Sequence, residues 1–194
     1  MEIWVLGNGE SRKKFNLSKI NSYSIGCNAI HRDFNANIFV AVDRKMVKEI
    51  LNNPNQRTKT IYTRPDWYKE FGSNRVISLP SLWYEGTDKQ DQGFHWNSGP
   101  YAILVACYRN PKTVHLVGFD LYGVKGLQNN IYKDTENYAP GSHKEVRPDF
   151  WIHQLKQLFE HFDKINFIQH QLKDWQIPLE WRHLENLTVK YFPV

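Results

Sequence analysis

Short apolar runs alternate with amphipathic or polar segments along most of the chain. This alternation is typical of a parallel sheet whose strands are joined by crossover helices. It predicts strands over residues 2–6, 22–26, 36–42, 59–63, 75–79, 114–118 and 165–169, and helices over residues 44–51, 65–71, 98–108 and 148–162. The expected fold class is α/β, a single domain with a mostly parallel sheet in a three-layer sandwich.

Two of the predicted helices differ in character. In 148–162, Pro148 and Asp149 suit the first turn, and apolar residues recur at three- and four-residue spacing, which predicts a helix packed on the sheet by one face. The helix that begins at Ser98 is apolar nearly all round, so we expect it to be buried.

Two segments lack this periodicity. Residues 123–146 are rich in glycine, asparagine, lysine and tyrosine, and an irregular segment of this length in a compact domain is typical of a functional lid. Residues 174–194 carry several large aromatic side chains and are expected to fold back as a covering segment.

Composition restricts the class of protein further. With 194 residues, 41% hydrophobic and 23% charged, the chain suits one globular domain, and it has no apolar run long enough to span a membrane. The amino terminus has no signal-peptide pattern, so we expect a cytoplasmic protein. Cys27 and Cys107 lie in apolar segments and are expected to be reduced packing residues.

The formal net charge is +5, but the positive residues are scattered. The one dense run, residues 12–14, fits either a solvated face or a contribution to binding an anionic ligand. No RNA-recognition signature or zinc-finger spacing is present, and we therefore expect no nucleic-acid partner.

Candidate chemistry collects where the predicted strands end, because ligands of parallel sheets bind outside the carboxyl ends of the strands. The residues at these ends are Gly7, Asn8, Gly9, Ser11, Asn28, Asp43, Asp120 and Tyr122. A further turn, Asn97, Ser98 and Gly99, opens the buried helix and offers free backbone N–H groups.

Simpler interpretations remain open for several of these residues. The Gly-Asn-Gly turn is also compatible with a tight turn that binds nothing, and Asn28 and Asp43 are both suitable helix caps. The turn lacks the third glycine of the dinucleotide-binding fingerprint, and the chain has no Gly-Lys-Ser/Thr phosphate loop.

The order of these motifs resembles the bacterial sialyltransferases of glycosyltransferase family 42 and their DUF115-like relatives. The resemblance rests on short segments over most of residues 1–162, which are 6–11, 26–28, 97–102, 116–122 and 142–143. It implies a GT-A-like variant of the Rossmann fold that binds a CMP-sugar without a metal ion.

Position by position, the resemblance implies nucleotide contacts at Gly7, Asn8, Gly9, Ser11, Asn28, Ser98 and Gly99. We add Asp43, Asn97 and Asp120 to the predicted nucleotide-binding residues because they follow strands or open the buried helix. It implies that Tyr122 supports the departing phosphate and that His143 in the lid is the general base. These roles suit the chemistry, since an imidazole titrates near neutral pH and phenol or amide donors stabilise developing negative charge.

Several positions depart from the family pattern. Asn97 stands where sialyltransferases have threonine, and Glu10 stands where they favour proline. A carboxylate at that position would repel a phosphate unless it points away. Tyr132 and Tyr138 are both shifted candidates for a second lid tyrosine, and the chain has no dedicated acceptor-binding subdomain.

The sequence therefore predicts an inverting, metal-independent glycosyltransferase of sialyltransferase-like type. Its partners would be a nucleotide sugar and a glycan or other hydroxyl acceptor, with no cofactor; a homo-oligomer is left open. One alternative is a nucleoside-triphosphate-dependent pyrophosphokinase of the DUF115 type, with Asp43 and Asp120 converging on a divalent cation. Another is a non-catalytic binding or assembly module that keeps the fold.

Overall fold

The computed structural model describes residues 1–192, which form an eight-stranded parallel sheet between helical layers. The strands are β1 Glu2–Leu6, β2 Tyr23–Cys27, β3 Ile38–Val40, β4 Thr60–Thr63, β5 Val76–Ser78, β6 Thr113–Val117, β7 Asn166–Gln171 and β8 Leu187–Tyr191. Their order in the sheet is β5-β4-β3-β2-β1-β6-β7-β8, and every neighbouring pair is parallel. The predicted α/β class is confirmed.

The four predicted helices are present as α1 Arg44–Asn52, α2 Pro65–Phe71, α3 Ser98–Cys107 and α4 Asp149–His161. Helices α3 and α4 pack on one face of the sheet, where their apolar residues share a core with β1, β2, β6 and β7. Helix α1 and the 3-10 helix Asn28–Arg32 cover the opposite face over β2 to β4. None of the helices within residues 1–192 is long and apolar enough to cross a membrane.

Helix α3 is buried along its whole length apart from a half-buried Gly99, as its apolar composition predicted. Cys107 at its end and Cys27 at the end of β2 are free and buried. Burial raises the pKa of Cys27 to about 12 and also raises the pKa of Cys107, so both thiols stay protonated and act as packing groups.

The sequence did not predict β8. Residues 174–194 were expected only to cover the domain, whereas Leu187–Tyr191 adds an edge strand beside β7. Leu187 and Val189 turn toward the core that contains α4, whereas Thr188 and Lys190, which alternate with them, are exposed. Trp175 and Trp181 do cover the core as expected, and residues 193–194 lie outside the described residues.

Strand β1 lies at the position where the strand order reverses. From β1 the chain builds β2 to β5 on one side and then returns through α3 to place β6 on the other side. Parallel sheets of this kind bind ligands outside the carboxyl ends of the strands at such a reversal. The fold therefore directs attention to the loops that follow β1 and β6.

Candidate functional site

The loops that follow β1 and β6 cross in direct backbone contact. Gly7 N–H donates to Val117 O at 2.8 Å, and Gly9 N–H donates to Gly118 O at 2.9 Å. A Cβ on Gly7 would lie 2.5 Å from Gly118 O, and a Cβ on Gly118, whose φ is +75°, would lie 2.8 Å from Gly7 O. Only glycine allows this approach at both positions.

Asp120 holds the crossing in place. Its carboxylate accepts from Ser11 N–H at 2.9 Å, from the Ser11 hydroxyl, and from Gln171 Nε2 at 3.4 Å. Both Asp120 and Ser11 are buried. Since both carboxylate oxygens have partners within the protein, this aspartate braces the first glycine turn, and Ser11 lies beneath the cleft instead of lining it.

Ser98 connects the start of α3 to the ends of two strands. Its hydroxyl donates to Asn28 Oδ1 at 2.7 Å and accepts from Val42 N–H at 3.0 Å. Asn28 has a left-handed backbone with φ of +50°. Its side chain accepts the hydrogen bond from Ser98 and caps no helix. The amides of Ser98 and Gly99 open the helix, so they have no carbonyl partner within it, and both residues line the cleft.

Asn97 and Asp43 both occupy N-cap positions, of α3 and α1 respectively. Neither side chain makes the capping hydrogen bond, and both residues line the cleft. Asp43 therefore occupies the cap position without capping the helix, and its exposed carboxylate remains available to a bound molecule.

Tyr122 follows a strained turn. Tyr122 N–H donates to Asp120 O at 2.7 Å across Leu121, whose φ is +66°. Trp175 Nε1 donates to the same Asp120 carbonyl at 2.8 Å and holds the turn. Strained backbone of this kind clusters at functional sites. Burial, together with the nearby Glu180, raises the pKa of the Tyr122 phenol, which therefore stays a neutral hydrogen-bond donor.

The lid contributes a residue that the sequence did not single out. Asn129 Oδ1 accepts from Glu10 N–H at 2.7 Å, and Asn129 Nδ2 donates to Tyr122 O at 2.8 Å. One side chain thus joins the loops after β1 and β6. Glu10 points away from the cleft and pairs with Lys133 at 2.5 Å, so its carboxylate does not oppose a bound phosphate.

The two lid tyrosines contact the first loop and not the cleft itself. Tyr138 OH accepts from Asn8 Nδ2 at 3.1 Å, and burial raises the Tyr138 pKa to about 12. Tyr132 OH accepts from Arg12 at 2.8 Å and donates to Asp33 at 2.7 Å. Both tyrosines therefore hold the lid against the sheet face that carries α1.

One cleft contains most of the residues that the sequence singled out. Its lining includes Gly7, Asn8, Gly9, Asn28, Asp43, Asn97, Ser98, Gly99, Asp120 and Tyr122. Ser11 lies below the cleft, and His143 lies on an exposed part of the lid outside the lining. Sequence reasoning did not find the lid residues Gln128, Asn129, Asn130, Glu145 and Val146, because an irregular segment has no periodicity from which to place its side chains.

The electrostatics of the cleft are unusual for a phosphate site. None of the residues that line it is lysine or arginine, and three are acidic: Asp43, Asp120 and Glu145. The start of α3 supplies partial positive charge and free amides. Within residues 1–192, no group of three or more His, Cys, Asp or Glu is arranged to hold a metal ion.

Comparison with solved structures identifies the same fold in sialyltransferases. The sialyltransferase CST-II in complex with a trisaccharide acceptor and CMP matches 87% of this chain and 80% of its own, with 15% identity and a TM-score of 0.56. The monofunctional α-2,3-sialyltransferase Cst-I from Campylobacter jejuni matches 95% of this chain and 79% of its own, with 16% identity and a TM-score of 0.57.

A third structure, CstII from Campylobacter jejuni in complex with the substrate analogue cytidine-5′-monophosphate, matches 87% of this chain at 16% identity, with a TM-score of 0.55. No protein-family model and no curated protein matches the chain. At these sequence identities the comparisons establish a shared Rossmann-like α/β fold.

Proposed function

We propose that this chain is an inverting, metal-independent glycosyltransferase that uses a CMP-sugar donor. The observation that carries the proposal is the cleft itself, in which the crossed glycine loops and the free start of α3 meet at the reversal of strand order. The fold is shared with sialyltransferases solved in complex with CMP, which supports the choice of nucleotide.

The charge of the cleft favours this donor over a nucleoside triphosphate. A CMP-sugar has a single ionised phosphodiester oxygen, which the partial charge of one helix N-terminus and neutral donors can stabilise. A triphosphate carries several negative charges, and the cleft lining offers them Asp43 and Glu145 but no lysine or arginine. The pyrophosphokinase alternative is therefore the weaker one.

In the proposed reaction an acceptor hydroxyl attacks the anomeric carbon of the donor sugar. The new bond joins acceptor oxygen to that carbon, the bond from the carbon to the phosphate oxygen breaks, and the electron pair leaves with CMP. Attack from the face opposite the leaving group inverts the anomeric centre. The Tyr122 hydroxyl and the amides of Ser98 and Gly99 would stabilise the charge that develops on the phosphate.

The proton of the acceptor hydroxyl needs a base. His143 is the candidate from the sequence, and its exposed ring must move with the lid to reach an acceptor in the cleft. Asp43 is a second candidate, because its carboxylate is already at the cleft and makes no capping bond. Loss of the true base should lower kcat by about 10²–10⁴, so comparing His143→Ala with Asp43→Asn identifies it.

The proposal is tested by following CMP release from CMP-sialic acid in EDTA, with and without a panel of glycan acceptors. We expect release by the wild type and a loss of about tenfold to a hundredfold in Tyr122→Phe, because the leaving phosphate loses a donor. Tyr108→Phe, at a half-exposed tyrosine outside the cleft, should keep wild-type turnover and thermal stability.

Two outcomes would contradict the proposal. Thermal stabilisation by ATP with magnesium, but not by cytidine nucleotides, would favour the pyrophosphokinase alternative. Absence of stabilisation by any nucleotide would favour a binding or assembly module.

A further inference from the structure

The lid contains a short β-ribbon beside the cleft, built from residues 123–128 and 143–146. Val124 and Leu127 exchange backbone hydrogen bonds of 3.0 and 3.1 Å around Lys125 and Gly126, whose φ values are +53° and +75°. Positive φ at both central residues defines a type I′ hairpin turn. Leu127 also pairs with Lys144, which adds a third strand to the ribbon.

This pairing places an apolar and cationic row on one face of the ribbon. Residues directly opposite in antiparallel pairs project their side chains to the same side, so Val124, Leu127 and Lys144 lie in a row. Val124 is 44% exposed and Leu127 is 43% exposed. Adjacent exposed aliphatic groups are typical of an interaction surface.

The charged side chains of the ribbon also suit an interaction surface. Lys125 lies at the tip and Lys144 lies in the row, and neither forms an ion pair with the residues that the structure describes. Glu145, the one carboxylate of the ribbon, accepts from Gly123 N–H at 2.7 Å and lines the cleft. The outer face therefore presents aliphatic groups and free ammonium groups, with the acidic group turned away.

We propose that the lid ribbon docks on an anionic lipid surface. Aliphatic side chains next to lysines match the apolar boundary and the negative headgroups of such a surface. Because Glu145 and Val146 belong both to the ribbon and to the cleft lining, docking there would hold the cleft mouth at the surface. In the glycosyltransferase proposed above, on which this step rests, an acceptor anchored in the same lipid layer would then reach the cleft without leaving the lipid.

The test is co-sedimentation of the chain with vesicles of phosphatidylcholine alone or of equal parts phosphatidylcholine and phosphatidylglycerol. We expect binding to the mixed vesicles only, and weaker binding at high salt. Lys125→Asn with Lys144→Gln keeps the turn, since Asn-Gly suits type I′, and should weaken binding by about fivefold per lysine. Val124→Thr with Leu127→Thr should also weaken it.

Matched controls lie on the opposite edge of the sheet and on α1. Ile77→Thr on β5 removes an aliphatic group that is 41% exposed, and Lys48→Gln removes an exposed lysine, and both variants should bind as the wild type does. Wild-type failure to bind mixed vesicles, or equal losses in ribbon and control variants, overturns the proposal. Self-association that the ribbon variants abolish would also overturn it, in favour of a second copy. Vesicle binding needs no nucleotide, so its failure is distinguishable from failure of the glycosyltransferase proposal.

Discussion

At the scale of single residues, several cleft residues serve mainly to hold other groups in place. The Asp120 carboxylate accepts hydrogen bonds from the N–H and the hydroxyl of Ser11, and Asn129 joins the backbone of Glu10 to that of Tyr122. Asp120 follows a strand and lines the cleft, yet both of its carboxylate oxygens already have partners within the protein. Proximity to a ligand site and contact with the ligand are therefore separate properties of this residue.

This assignment predicts a stability effect for Asp120→Asn. The amide cannot accept from both the N–H and the hydroxyl of Ser11 while also facing Gln171, so the change should lower the free energy of unfolding by about 2 kcal/mol. Ser11→Ala, which removes only the hydroxyl contact, should cost about 1 kcal/mol. Urea unfolding measures both changes. An Asp120→Asn variant as stable as the wild type would show that the hydrogen bonds of Asp120 do not stabilise the fold.

At the scale of elements, the cleft depends on how closely two loops and one helix end approach each other. The crossing after β1 and β6 is fixed by the pairing of these strands, with Leu6 opposite Val117. The start of α3 is fixed by the Ser98 hydroxyl, which contacts the ends of β2 and β3. Strand pairing and one buried serine thus define the geometry that the lid then covers.

The close crossing predicts a difference between two glycines with left-handed backbones. Gly118→Ala places a Cβ against Gly7 O, whereas Gly72→Ala at the end of α2 meets nothing within 4 Å. Both variants suffer left-handed strain of about 1–2 kcal/mol, and Gly118→Ala should lose about 1–3 kcal/mol more from overpacking. Equal losses of unfolding free energy in the two variants would contradict a tight crossing.

At the scale of the whole molecule, strand and helix positions could be predicted from periodicity, and the cleft followed from the rule for parallel sheets. Three features could not. Strand β8 lies in a tail where aromatic residues obscure a short alternation. Asn129 acquires its role only when the lid folds against two distant loops. The resemblance implied an active role for His143 but could not show that its ring lies outside the cleft.

Global stability should also depend on a histidine pair between β6 and β7. His115 Nδ1 and His170 Nε2 are 3.0 Å apart, and burial, then the charges of His115 and Lys190, lowers the His170 pKa from 6.5 to about 4. Between these two pH values His170 is protonated in the unfolded chain and neutral in the folded chain. The contribution of His170 to the free energy of unfolding is therefore fully present above pH 6.5 and is lost as the pH falls toward 4.

The measurement is the urea midpoint at pH 7.5 and at pH 5. The wild type should unfold at lower urea at pH 5, and His170→Gln should show a smaller fall because its amide does not titrate. His183→Gln, at an exposed histidine, should keep the wild-type difference. A wild-type midpoint that rises on acidification would give the wrong sign for a buried neutral pair.

The central claim is that the loops after β1 and β6 and the start of α3 form one site for CMP. Amide hydrogen exchange, measured in EDTA with and without saturating CMP, tests it most directly. The account predicts slower exchange in all three segments, residues 7–11, 97–101 and 118–122, with residues 44–52 of α1 unchanged. Protection confined to one of these segments, or found only elsewhere in the chain, would contradict it.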